Sequence, residues 1–167
     1  MRSFPVFNCS HTAKGACVLA ETRGNALIFF LLDPMKGRGP EVLQTAVGSG
    51  NPAISPDGQH IAFLPPGAPN NRIRIVNLHG ATEREITASG AESLGTLDWS
   101  AEGTGFFSGD QQRETTRLLH IDRNGKSQVL WGQPAGFGVW GIPSPDGRYL
   151  ATLKANFTGN VWMVENP

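Results

Sequence analysis

Apolar residues in this chain come in short runs, each ended by Gly, Pro, Asn or Asp, and no stretch carries a helical period. Runs of this kind between turn residues predict short β-strands. The clearest run, Ile61-Ala62-Phe63-Leu64, follows Ser55-Pro56-Asp57-Gly58, and Leu150-Ala151-Thr152-Leu153 follows Ser144-Pro145-Asp146-Gly147. In such a turn proline presets φ, aspartate caps through its side chain, and glycine accepts positive φ. Two weaker copies are present. Ser100-Ala101-Glu102-Gly103 leads into Phe106-Phe107, and Ser10 precedes a stretched turn to Gly15 and then Cys17-Val18-Leu19. The serines at 10, 55, 100 and 144 are spaced by 45, 45 and 44 residues. A fixed period of that length marks a repeat architecture.

Each repeat reads as four strands. In the second these are 52–55, 61–64, 73–78 and 83–87, with a Pro- and Asn-rich loop at 65–71. The third gives 97–100, 105–108, a polar loop at 109–114, then 117–122 and 127–131, the last two joined by the hairpin signal Asn124-Gly125. The first repeat fills its slots with 16–20, 27–32 and 41–45, and the fourth with 140–143, 149–153 and 161–164. Three residues after each turn glycine stand Val18, Ile61, Phe106 and Leu150, which predicts a common buried register for the second strands. The expected fold is all-β: propeller blades of four antiparallel strands, in about four repeats (7–45, 51–87, 96–131 and 140–167) of a single domain spanning 1–167.

The phrase Ser-Pro-Asp-Gly-x-x-[Ile/Leu]-Ala resembles the WD40-like (PD40) repeat of TolB-type β-propellers, over essentially the whole chain. The ending, Trp140-Gly141-Ile142-Pro143-Ser144-Pro145-Asp146-Gly147 through Asn160-Val161-Trp162-Met163-Val164, resembles the C-terminal end of bacterial signalling proteins in which a propeller follows a protein-kinase or winged-helix module. Neither module is present, so neither activity carries over. The resemblance implies a non-catalytic interaction or sensing module for a protein or peptide partner. Such propellers commonly close with six or more blades, against about four repeats here. Three solutions stand open: Arg2 to Phe7 completes the last blade, two chains complete each other, or the chain is part of a longer protein.

Composition narrows the function classes. Lys plus Arg and Asp plus Glu balance at 14 each, without the basic excess that phosphate neutralisation demands of a nucleic-acid binder. The longest apolar run, Ala26 to Leu32, falls far short of the ~20 residues that span a bilayer, so no membrane insertion is expected. The N-terminus lacks the features of a signal peptide, which favours the cytoplasm; a longer parent chain would leave the periplasm open. Cys9 and Cys17 fall on the first two strands of one hairpin, so a cross-strand disulfide is conceivable, but free cysteine is among the most buried residue types and two small buried apolar residues are preferred.

No catalytic motif is visible. The elbow G-x-S-x-G is absent, and His11, His60, His79 and His120 show no metal-ligand spacing. Asp57 and Asp146 offer one carboxylate per turn and read as turn caps, so neither metal nor cofactor is expected. Trp99, Trp131 and Trp162 read as packing between blades, while Trp140 begins an innermost strand where it can line the channel mouth. In a propeller the loops between second and third strands share a face with those joining one blade to the next. Those loops carry Arg23, Asn51, Arg72, Asp110, Arg113, Trp140 and Lys154, the expected ligand-binding face. A hydrolase or lyase centred on Asp98 in the channel is the competing expectation.

Overall fold

A computed structural model describes residues 6–11, 15–47, 52–78, 83–134, 136 and 138–155. It contains fourteen strands among these residues and no helix. The first blade is β1 (Val6–Cys9), β2 (Cys17–Arg23), β3 (Ala26–Asp33) and β4 (Gly37–Ala46); the second is β5 (Ala53–Ile54), β6 (His60–Phe63), β7 (Arg72–Asn77) and β8 (Glu83–Thr87). The third is β9 (Asp98–Trp99), β10 (Gly105–Gln111), β11 (Thr115–Asp122) and β12 (Ser127–Pro134), and the fourth opens with β13 (Gly138–Pro143) and β14 (Leu150–Ala155). Within each blade consecutive strands pair antiparallel, and the innermost strands β1, β5, β9 and β13 stand side by side. The expected strand at 161–164 lies outside the described residues, as does Arg2 to Pro5.

The repeated serine sets each blade's geometry. In the second blade Ser55 N–H donates to the His60 carbonyl at 2.9 Å, and His60 N–H returns to Ser55 Oγ at 2.9 Å. Ser144 and Tyr149 repeat this pair of bonds at 2.8 and 3.0 Å. Ser100 does so without proline or aspartate, taking the N–H groups of Thr104 and Gly105 on its hydroxyl. Gly58, Gly103 and Gly147 all have φ of 69°, the left-handed conformation that a glycine adopts freely. The degenerate third repeat thus folds as the clean ones do, because the serine and glycine carry the turn.

Two expectations for the first blade are corrected. Ser10 N–H reaches the Ala16 carbonyl, six residues on instead of five, so the turn holds one extra residue. Cys17, and not Val18, therefore stands where Ile61, Phe106 and Leu150 stand, directly opposite Cys9. The two cysteines are joined in a disulfide, so they are not separate buried thiols: the pairing places them face to face. Val18 points forward instead, into a core with Ala20 and Phe29 of its own blade and Ile54, Ile61 and Phe63 of the second. Val6 and Phe7 pair with β2 as the innermost strand of the first blade, so they do not complete the last one.

Two buried layers lie between successive blades. The first contains Phe29 against Phe63, with ring centroids 5.7 Å apart. The second joins Ala62, Leu64, Ile73, Ile75 and Ile86 of the second blade to Leu97, Trp99, Phe106, Leu119 and Ile121 of the third. Trp99 is its largest member; its ring lies 4.4 Å from Phe106, and its indole N–H donates to the Ala53 carbonyl across the layer. Each blade thus has a rear face towards its predecessor, where Ile54–Ile61 and Trp99–Phe106 lie, and a front face towards its successor.

Burial pushes the Asp57 carboxyl up, but hydrogen bonds from the Ser55 hydroxyl and Gln59 N–H, with His60 nearby, outweigh it and hold it below the ordinary aspartate value. The Asp146 carboxyl is lowered likewise by Ser144 and Arg148. A depressed carboxyl binds protons less well folded than unfolded. Its stabilisation is therefore complete above the ordinary aspartate range and is lost as pH falls through the folded value. Denaturant midpoints measured between about pH 5 and pH 2 should fall, and Asp57→Asn should reduce that fall without abolishing it, since Asp146 and other lowered carboxyls remain.

Candidate functional site

The polar stretch 109–114 is not all loop. β10 continues through Asp110 to Gln111, and only 112–114 turn. Asp110 is fully buried directly opposite Arg117, whose Nε stands 3.1 Å from Oδ2. Its Oδ1 accepts the N–H groups of Glu92 and Ser93 at 2.9 and 2.8 Å, and the same Arg117 reaches the Gly90 carbonyl at 2.7 Å. The bonds to Glu92, Ser93 and Gly90 tie the 88–97 connection to the strand ends of the third blade. Leu94 N–H also reaches Asn70 O at 2.8 Å, so the second blade's loop joins the same face. Asp110 positions this face; a ligand would meet its neighbours.

Behind it the fourth blade approaches the third closely. Gly109 makes this approach possible, since a Cβ there would stand 2.3 Å from the Val139 carbonyl. Thr96 Oγ1 donates to that carbonyl at 2.9 Å and accepts the Gly109 N–H at 2.7 Å. A pocket of about 90 Å³ opens here, lined by Thr96, Asp110, Gln111, Thr116, Val139 and Trp140 among others.

On the other side of Val139 the blades part into a larger groove of about 330 Å³, lined by Leu118, Leu130, Trp131, Val139, Leu150, Thr152 and Lys154. Its shape follows from a bulge. Leu118 pairs with Trp131 but Leu119 with Val129, so Leu130 is an extra residue and both Leu130 and Trp131 reach the groove. Trp131 is 40% exposed, whereas Trp99, in the preceding layer, is 2% exposed. The core that closes the earlier layers is left open here.

The seven residues expected on the binding face divide accordingly. Asp110 and Trp140 meet at the small pocket, Lys154 lines the groove, and Arg113 is exposed on the adjoining 112–114 turn. Arg23 is remote: it pairs with Glu21 at 3.1 Å and covers Phe30 together with Arg38. Burial raises the Glu21 carboxyl, and the two arginines more than reverse this, leaving it lowered. Arg72 pairs with Glu85 at 3.2 Å on the second blade. Asn51, like His79 and Trp162, lies outside the described residues. Leu118, Leu130 and Leu150 were not foreseeable as a site, because bulge and blade packing bring them together; period-two alternation marks them only as core.

A second feature lies among the innermost strands. His11, on the lengthened first turn, places Nε2 3.4 Å from Asp98 Oδ1 on the third blade. Burial raises the Asp98 carboxyl, against the opposing pull of His11 and the Trp99 N–H. Among the described residues no three His, Cys, Asp or Glu side chains group to hold a metal ion, and no helix is long and apolar enough to cross a membrane.

No family model and no curated protein matches this sequence. Solved structures do. TolB from Acinetobacter baumannii matches with a TM-score of 0.70 at 18% identity, over 96% of this chain and 39% of that one. A protein assigned as TolB in Agrobacterium tumefaciens gives 0.65 at 20%, over 93% and 60%. The fold is that of a TolB-type β-propeller. Other chemistry shares it: an oligogalacturonate lyase solved with manganese matches at 0.62 and 16%, over 86% and 45%. The chain spans 39–60% of the length of these three structures' chains.

Asp110→Ala would leave Arg117 without its carboxylate and two loop N–H groups without an acceptor. A loss of about 3 kcal/mol in unfolding free energy is expected by denaturant titration, against about half a kcal/mol or less for Arg113→Ala on the neighbouring turn.

Proposed function

We propose that this propeller module is non-catalytic and binds a protein or peptide partner in the groove between the third and fourth blades. The observation that carries this reading is the groove itself: apolar walls from Leu118, Leu130, Trp131 and Leu150, an exposed tryptophan, and Lys154 beside them. A buried aromatic anchor with a polar rim is the usual anatomy of a protein contact. The TolB-type fold supports a scaffold role, since such frameworks hold binding loops rigidly.

The competing reading places hydrolase or lyase chemistry at Asp98 and His11, a buried carboxyl held above its ordinary range beside an imidazole. One pair is a thin basis for an active site. A third reading, a structural segment completing a larger ring, is favoured by apolar residues exposed on the outermost faces, with Phe7 and Tyr149 each 69% exposed.

The test is selection of a phage-displayed random peptide library on the full chain, followed by titration of the selected peptides. Trp131→Ala and Lys154→Ala should each weaken binding about tenfold or more, with Arg72→Ala unchanged. Failure to select any peptide, or binding indifferent to both groove variants, contradicts the reading. Turnover on an ester, peptide or glycan panel that Asp98→Ala abolishes would install the enzyme reading in its place.

A further inference from the structure

The disulfide of the first blade stands where the second and third blades set Ile54 opposite Ile61 and Trp99 opposite Phe106. Those apolar pairs fill the layers between blades. The cysteine pair does something they do not: it joins the two ends of the lengthened first turn covalently. A cross-link between residues close in sequence restricts the chain beside it, and breaking it restores that freedom.

What that turn touches gives the restriction a consequence. Ser10, next to Cys9, donates its hydroxyl to the Pro56 carbonyl of the second blade at 3.1 Å. His11, the following residue, passes the second blade and places Nε2 3.4 Å from Asp98 Oδ1 on the third. Trp99 with Ala53, Thr96 with Val139 and Leu94 with Asn70 join neighbouring blades, whereas this contact skips one. At the other end of the turn, a Cβ on Gly58 of the second blade would stand 3.1 Å from the Ala16 nitrogen. Asp98 in turn depends on His11. Its Oδ1 also accepts the Trp99 N–H at 2.9 Å, its side chain is 13% exposed, and among the described residues His11 is the titratable group that faces it.

We propose that Cys9 and Cys17 form a thiol–disulfide switch whose oxidised state holds His11 on Asp98 and whose reduced state releases it. The co-reactant is a dithiol. One of its thiolates attacks a cysteine sulfur, breaking the Cys9–Cys17 bond and forming a mixed disulfide, and its second thiolate then displaces that cysteine. The protein gains two electrons and two protons and holds two thiols, while the dithiol leaves as a disulfide. Two thiols need more room than a bonded pair of sulfurs, so β1 parts from β2 at Cys9 and Cys17, the last pair of their ladder, and Ser10 and His11 move with Cys9. The Asp98 carboxylate then loses the imidazole that faces it. The switch is independent of what the groove between the third and fourth blades binds.

Nuclear magnetic resonance of the labelled full chain, before and after addition of dithiothreitol, reads each part separately. The Cβ carbon shifts of Cys9 and Cys17 report disulfide or thiol, Overhauser cross-peaks between the His11 ring and the Asp98 Hβ protons report the contact, and exchange of the Ser10 amide reports the turn. Reduction should move both Cβ shifts to thiol values, remove the His11–Asp98 cross-peaks and speed exchange at Ser10 about tenfold or more, with the Ile54–Ile61 and Trp99–Phe106 cross-peaks kept. Oxidised dithiothreitol should restore the starting spectrum. Cys9→Ser with Cys17→Ser should show the reduced pattern without reductant, whereas His11→Ala should leave both cysteines at disulfide values. Cysteines that resist the dithiol in the folded chain overturn the proposal. So do thiol shifts before any reductant is added, His11–Asp98 cross-peaks that are absent at the start or survive reduction, and loss of the cross-peaks of the second and third blades along with them, which would make the disulfide a support of the whole fold.

Discussion

A hydroxyl and a backbone amide on one serine fix the register of each blade. The N–H of Ser55 or Ser144 bonds a carbonyl five residues ahead, and the hydroxyl takes the amide of that same residue in return. This closes the first hairpin with one pairing and no other. Because side chains alternate between faces, the pairing also decides which residues point rearward and which point forward. The layered core follows from that decision. Ile61 and Phe106 meet the preceding blade while Ala62 and Leu64 meet the following one.

The first blade shows what happens when the spacing changes. One added residue between Ser10 and Ala16 moves Cys17 into the rear-facing position and Val18 into the forward one. The forward face suits its neighbour, since Val18 is fully buried against the second blade. The rear face carries a disulfide where the second and third blades carry Ile54–Ile61 and Trp99–Phe106. The blade that begins the array thus differs from the others on the face that no described blade covers.

Much of the architecture was legible in the residues. Four serines at a constant interval, each followed by glycine and an apolar run, specify the blades, and the strands of the second repeat fall within a residue or two of their expected bounds. What was not legible depends on single insertions and on contacts between blades. The lengthened first turn conceals a one-residue slip, because Val18 is as apolar as a correct partner would be. Gly109 and Asp110 look like loop residues by composition, yet both lie in β10, glycine because the fourth blade presses against it and aspartate because Arg117 and two loop amides satisfy it. The groove depends on the extra residue at Leu130, and no alternation of apolar and polar positions announces a bulge.

The shared serine register underlies both the layers and the groove, and backbone proton proximity measures it. In a non-hydrogen-bonded antiparallel pair the two Cα atoms are about 4.5 Å apart and their protons are closer still. A nuclear Overhauser spectrum of the labelled chain should show strong Hα–Hα cross-peaks for Cys9 with Cys17, Ile54 with Ile61 and Trp99 with Phe106. A cross-peak from Cys9 to Val18 in place of Cys17, or the absence of the pairs in the second and third blades, would contradict the register and the layered packing built on it.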